Sequence, residues 1–232
     1  MSRSVSKSVF AVACALSLAT SSAVFAQDAQ NDPLEPLNRG TFAFNELLDT
    51  IFFKPVSTVW NAVLPKPVRT GVANVFGNLD DVFIGTNHLL QGRGKDAGVD
   101  FQRVLVNTTV GIGGLIDVAS TQGLVKGDGD FGQTFGVWGV GSGFYLVLPV
   151  LGPSNARDTV GRGVRIVSDP RTYATPVVSY SLTGTEVVQY KADNVENANL
   201  IDSSSLDKYA FTRNLYAQRR EGLVKAGREA AR

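Results

Sequence analysis

The chain has 232 residues, 22 Lys+Arg against 21 Asp+Glu, 44% hydrophobic residues, 24 Gly, and a single Cys, His and Met. This is too apolar for a disordered chain and long enough to bury a core, as one larger domain or two small ones. A net charge near zero argues against a general nucleic-acid binder.

Residues 1–26 read as a secretory signal peptide. Arg3 and Lys7 give a short basic start, Val9 to Ala19 is uncharged and mostly apolar, and Val24-Phe25-Ala26 supplies the small residues a signal peptidase reads, placing cleavage after Ala26. The apolar run is far shorter than the roughly 20 residues needed to cross a bilayer. Cleavage there removes Cys14 and leaves 206 residues with 20 basic and 21 acidic side chains, and no thiol for a disulfide, a nucleophile or a metal. The alternative is lipidation at Cys14 with cleavage immediately before it. Against this, Ala11-Val12-Ala13 lacks the Leu usual at the first position of a bacterial lipobox.

Beyond the leader, helical periodicity dominates. From Pro36, a plausible first helical residue, Leu37, Phe44, Leu47, Leu48, Ile51 and Phe52 recur at threes and fours, predicting an amphipathic helix that ends at Pro55. Val68, Val72, Val75, Phe76 and Leu79 repeat the pattern after Pro65 and Pro67; Phe101, Val104 and Leu105 do so after the Gly92-Arg93-Gly94 break. Toward the C-terminus, Ser204 with Asp207 resembles a capping box opening a helix that carries Arg213, Arg219 and Arg220. No sustained period-2 alternation predicts a substantial sheet.

The middle is unusual. Phe131 to Ala156 is 26 residues without a charge, long enough to span a membrane, yet Gly132, Gly136, Gly139, Gly141, Gly143, Pro149, Gly152 and Pro153 preclude one regular helix. Broken backbone at membrane depth is tolerated only against protein or a wet cavity. On residue chemistry alone the run fits a buried soluble core and membrane embedding equally well.

Catalytic chemistry finds little support. His88 is the only histidine, which excludes a two-His metal site. Gly141-Ser142-Gly143 lacks the spacing of a nucleophile elbow, and Asp130-Phe131-Gly132 stands without the other kinase motifs. Neither glycine cluster has dinucleotide or P-loop spacing. The carboxylate pairs Asp80-Asp81 and Asp128 with Asp130 read first as turns or caps. No catalytic residue, metal or cofactor is expected.

Specific segments carry a resemblance. Asp32-Pro33-Leu34-Glu35-Pro36-Leu37-Asn38-Arg39 with Phe44-Asn45, then Asn107-Thr108-Thr109, Asp130-Phe131-Gly132-Gln133-Thr134, Trp138-Gly139-Val140-Gly141, Tyr145-Leu146-Val147-Leu148-Pro149 and Arg157-Asp158, in that order, are similar to the signature of the MlaA/VacJ family. The resemblance implies an all-α fold: a ring of amphipathic helices embedded in one membrane leaflet, with Gly/Pro-rich broken segments around a central channel. It implies a protein in the periplasmic leaflet of the Gram-negative outer membrane that takes mislocalised phospholipid from the outer leaflet and hands it to a soluble periplasmic carrier, in association with a porin trimer.

On that reading residues 27–35 are a linker, 36–203 the ring domain and 204–232 a C-terminal helix. Gly139, Gly141, Ser142 and Gly143 are candidates for lining the channel, or alternatively for close helix packing. Asn38, Arg39, Asn45, Asn107, Thr108, Asp130, Gln133 and Trp138 are the signature positions. The competing readings are a porin-bound adaptor without transport activity and an envelope lipase.

Overall fold

In the computed structural model, which describes residues 32–195 and 207–232, the first helix, α1 (Glu35–Leu48), does not end at Pro55. A π-helical stretch, Asp49–Phe53, follows, and the chain continues as α2 (Lys54–Val63). The cause is local. Proline has no N–H, and in an α-helix its ring collides with the carbonyl four residues back. Widening the turn so that the Lys54 N–H reaches the Asp49 carbonyl, five residues back, absorbs the defect without a break.

The remaining elements are α3 (Lys66–Leu90), α4 (Gly94–Thr109), the single turn α5 (Val118–Thr121), α6 (Phe131–Val137), β1 (Tyr145–Leu148), β2 (Gly152–Asn155), α7 (Ala156–Ser168), α8 (Pro176–Asp193) and α9 (Lys208–Ala230). Gly92, at φ 79°, turns the chain so that α4 packs back on α3. The uncharged middle run is not one helix: it divides into α6, an irregular loop and an antiparallel hairpin that pairs Tyr145 with Asn155 and Leu148 with Gly152. At the C-terminus Asp207 itself is the N-cap of α9, accepting from the Ala210 N–H, in place of the predicted box. Ser204 lies outside the described residues, as do the signal peptide, its cleavage point and Cys14.

The helices are amphipathic as the periodicity predicts, but they face the other way from a soluble core. Phe44, Leu47, Ile51, Val59 and Val63 of α1, the π turn and α2 are 48 to 69% exposed. Leu105, Val110, Ile112, Leu115 and Ile116, on α4 and the loop after it, are exposed as well. Meanwhile the largest fully buried side chains are polar, among them His88, Gln133, Asn38, Asn87, Asp81 and Asp100. The apolar core is small: Tyr145, Val147 and Tyr209, flanked by Phe42 and Tyr216. Apolar surface on this scale needs an apolar solvent or partner. Among the described residues no helix is long and apolar enough to cross a membrane.

The elements close a circuit. α1 runs through the π turn into α2, which packs on α8; α8 meets the 3-10 turn Pro170–Tyr173, which meets α7; α7 packs on β2; and β1 lies against α1. α3 buttresses this ring from α8 to α6, and α9 spans from α6 to β2.

Candidate functional site

A cavity of about 560 Å³ lies between the π turn, α2, the hairpin turn and α8 of this ring. Asp49 and Phe53 of the π turn, Lys54 and Ser57 of α2, the hairpin turn Val150 to Pro153, and Glu186, Val187, Tyr190 and Lys191 of α8 bound it. Its wall is mixed. The charged groups are paired: Lys191 Nζ stands 2.6 Å from Asp49, and Glu186 is 2.7 Å from Arg171. Apolar groups from the hairpin and α8 fill the gaps, so one end of a ligand can meet charge while the rest meets hydrocarbon.

The rim is held by asparagines. Asn38 Nδ2 donates to the Tyr145 carbonyl at 3.0 Å while its Oδ1 accepts from the Val147 N–H at 2.9 Å. Asn45 repeats the device, donating to the Leu148 carbonyl at 2.9 Å and accepting from the Val150 N–H at 2.7 Å. The spacing explains the match. Seven helical residues rise about 10.5 Å, and three strand residues advance about 10 Å, so two side chains on one helix face reach successive sites along a strand edge. Val150, with φ 66°, is a β-branched residue in the left-handed region at the cavity rim, and the Asn45 bond holds its N–H there.

Replacing Asn38 with Ala should therefore lower stability by about 2–3 kcal/mol, since a buried strand N–H and carbonyl lose their partners. Denaturant unfolding in mild detergent measures it.

The other signature residues are also ties between elements. Arg39 makes two bonds to Asp207, joining α1 to the cap of α9, and stacks over Tyr209 with its guanidinium carbon 4.5 Å from the ring centre. Asn107 donates to Asp117 and accepts from the Ala119 N–H, while the Thr108 hydroxyl accepts from Asn78. Asp130 caps α6 through the Gln133 N–H and takes both terminal nitrogens of Arg220. Gln133 donates to the Leu223 carbonyl, and the indole N–H of Trp138 to that of Leu90. Gly139, Gly141, Ser142 and Gly143 sit together on the exposed loop between α6 and β1 and are not among the residues bounding the ring cavity.

Sequence reasoning missed a buried charge network. Arg103 on α4 reaches Asp81 on α3 at 3.0 Å, Ser120, the Leu124 carbonyl and Asp117, and Lys126 closes on Asp81 from the loop. Burial alone would raise the Asp117 pKa. The Ser120 hydroxyl and N–H, Asn107 and Arg103 together outweigh it and hold Asp117 down at about 2. A second network joins Asp158 of α7 to Arg157, Tyr216 and Arg220. Neither network has a local signature: α4 also carries Lys95, Asp96 and Asp100, and α9 is rich in charge, so these arginines do not stand out in the sequence. Among the described residues no group of three or more His, Cys, Asp or Glu is placed to hold a metal.

The comparisons with known proteins decide the family, since the profile of the MlaA lipoprotein family matches residues 30–223. The chain belongs to this family. It is 34% identical over 211 residues to the intermembrane phospholipid transport system lipoprotein MlaA of Escherichia coli (strain K12), covering 87% of this chain and 81% of the relative. The protein of the same description from Haemophilus influenzae is 33% identical over 212 residues, covering 86% and 81%. A solved structure described as "Structural basis for maintenance of bacterial outer membrane lipid asymmetry" superposes with TM-score 0.74 at 33% identity, over 83% of this chain and 98% of that one. Family membership and this likeness accord with the helical ring traced above.

Proposed function

We propose that this protein moves phospholipid out of the outer leaflet of the outer membrane through the ring cavity and passes it to a soluble periplasmic carrier, maintaining lipid asymmetry. The observation that carries the reading is the reversed distribution of polarity: apolar side chains on the outer surface, polar groups inside, and a mixed cavity within a closed helical circuit. In a leaflet the outward apolar face is buried in acyl chains, each Å² contributing about 25 cal/mol, while the interior offers the headgroup a route that avoids hydrocarbon. The protein thereby lowers the barrier to headgroup transfer and needs no chemistry on the lipid.

On this reading it sits in the periplasmic leaflet, beside a porin trimer that gives access to the outer leaflet. Deleting the gene should let phospholipid accumulate in the outer leaflet, read by lipid A acylation and detergent sensitivity, and protein purified in mild detergent should carry phospholipid. An intact barrier together with lipid-free protein would leave only the adaptor reading.

Two details have their own tests. The relatives are described as lipoproteins, whereas the signal here favours cleavage after Ala26. Mass spectrometry of the mature N-terminus should find Gln27 unmodified; an acylated Cys14 overturns that. An added Cβ at Gly141 meets nothing within 4 Å, so Gly141→Leu should fold. Unchanged lipid asymmetry in that variant is the expected result, and its loss would bring the 139–143 loop into the passage.

A further inference from the structure

The stretch Val104 to Ile116 is uncharged, and its second half, the loop that leaves α4, holds four aliphatic side chains in the open: Val110, Ile112, Leu115 and Ile116 are 48 to 65% exposed. Slack in the loop does not account for this. The Asn74 side chain on α3 donates to the Leu115 carbonyl at 3.0 Å, and Asn78 on α3 donates to the Thr108 hydroxyl at 2.9 Å. Gly111 packs so closely on the Asn107 and Ile116 carbonyls that a Cβ has no room there. Ile112 is held at φ 55°, a left-handed conformation that a β-branched residue adopts only under strain. A rigid loop that strains an isoleucine and leaves it exposed presents that side chain to something outside the fold.

The backbone indicates what that is. The N–H groups of Val110 and Gly111 both donate to the Val106 carbonyl, that of Gly113 to Thr108, Gly114 to Asn107, Leu115 to Ile112 and Ile116 to Gly111. The loop thus satisfies its donors from within or from the end of α4. In water such closure is unnecessary, because solvent supplies acceptors; in hydrocarbon it is obligatory, because nothing else does. A protein partner calls for different chemistry. Interfaces between proteins draw specificity from aromatic and arginine anchors and from free hydrogen-bonding groups, and residues 110–116 offer no ring, no charge and few free donors.

We infer that residues 110–116 form a rigid apolar finger that inserts among the acyl chains of the leaflet. The inference rests on the leaflet reading above and extends it. The apolar face of α1 and α2 embeds the ring alone, and α4, which packs on α3 and α5, lies outside the ring circuit. The finger carries this α3–α4 arm down to hydrocarbon depth as well.

The test places one fluorophore at a time on the full chain in vesicles of phosphatidylethanolamine and phosphatidylglycerol, with and without nitroxide groups on the acyl chains. One introduced cysteine suffices, because a chain cut after Ala26 has no other and an acylated Cys14 has its sulfur in a thioether. A probe at Ile116→Cys should lose about half or more of its emission to the nitroxides, as should one at Phe44→Cys on α1, while one at Lys225→Cys, exposed on α9, should keep it. Ile112→Asp gives a second readout. Aspartate enters the left-handed region more readily than isoleucine, so this variant should keep its native helix content in mild detergent. Its association with the vesicles, read by flotation, should nonetheless weaken about tenfold or more, since a carboxylate at hydrocarbon depth is costly.

A quenched Phe44 probe beside an unquenched Ile116 probe would overturn the finger and leave the leaflet reading standing; neither probe quenched would overturn both. Native vesicle association in Ile112→Asp would overturn the finger too. So would an Ile116 probe that escapes the nitroxides in vesicles yet is shielded from an aqueous quencher in native outer membranes, which would give the surface to a protein partner.

Discussion

Val187→Trp should abolish the maintenance of lipid asymmetry while leaving the protein folded. Val187 is half-buried on α8 and faces the ring cavity between Glu186 and Tyr190. The cavity, at about 560 Å³, has little room to lose if a phospholipid headgroup is to enter it. The opposite walls are also poorly placed to retreat: the hairpin turn is pinned by Asn45 and Arg162, and the π turn by the Lys191–Asp49 pair. An indole there must stand in the passage.

Outer-leaflet phospholipid in a strain carrying only this variant should rise to the level of the gene deletion. The control is Val178→Trp on the same helix, an exposed position that does not line the cavity, which should behave as wild type. Wild-type asymmetry in Val187→Trp with normal protein levels would remove the cavity from the lipid's route.

The sequence made the helices legible and left their orientation open. Leu37, Phe44, Leu47 and Ile51 announce a one-sided helix by spacing alone, but periodicity carries no sign. The same stripe serves a core or a leaflet, and only the burial of Asn38 opposite exposed Phe44 and Ile51 separates them. A proline inside an α-helix predicts a stop, as at Pro55; the π turn that rescues the helix depends on geometry spread over Asp49 to Lys54 and has no signature of its own.

The hairpin escaped prediction because strands of four residues are too short to show alternation. Asn38 and Asn45 could be seen to share a helix face, seven residues apart, yet nothing local says that the face meets a strand edge more than 100 residues later. The partners of Arg103, Arg162 and Arg165 are illegible in the sequence for the same reason. An arginine's meaning lies in its partners, and theirs come from other elements.

The largest loss of stability should come from Arg103→Met. Arg103 is 3% exposed and Asp81 0% exposed, so the pair sits where water cannot compensate either charge. Removing the guanidinium strands Asp81 with Lys126 as its one remaining ion-pair partner among the described residues, and deprives the Leu124 carbonyl and Ser120 of a donor. Breaking one side of a buried pair costs about 3–5 kcal/mol, a large fraction of the 5–15 kcal/mol typical of a folded domain. Arg103→Lys should recover little, because a single ammonium cannot serve Asp81, Asp117 and Leu124 from one position.

The double variant Arg103→Met, Asp81→Leu separates charge from packing. With both charges gone, the apolar replacements fill the α3–α4 interface and Lys126, 40% exposed, can turn to solvent. The double variant should therefore be more stable than Arg103→Met alone, a coupling of at least about 1 kcal/mol in a cycle of denaturant midpoints measured in mild detergent. Additive losses would mean that shape, rather than the buried carboxylate, sets the cost. A destabilisation of Arg103→Met below about 1 kcal/mol would mean that water reaches Asp81, and that the polar interior inferred for this ring is wet at its outer buttress.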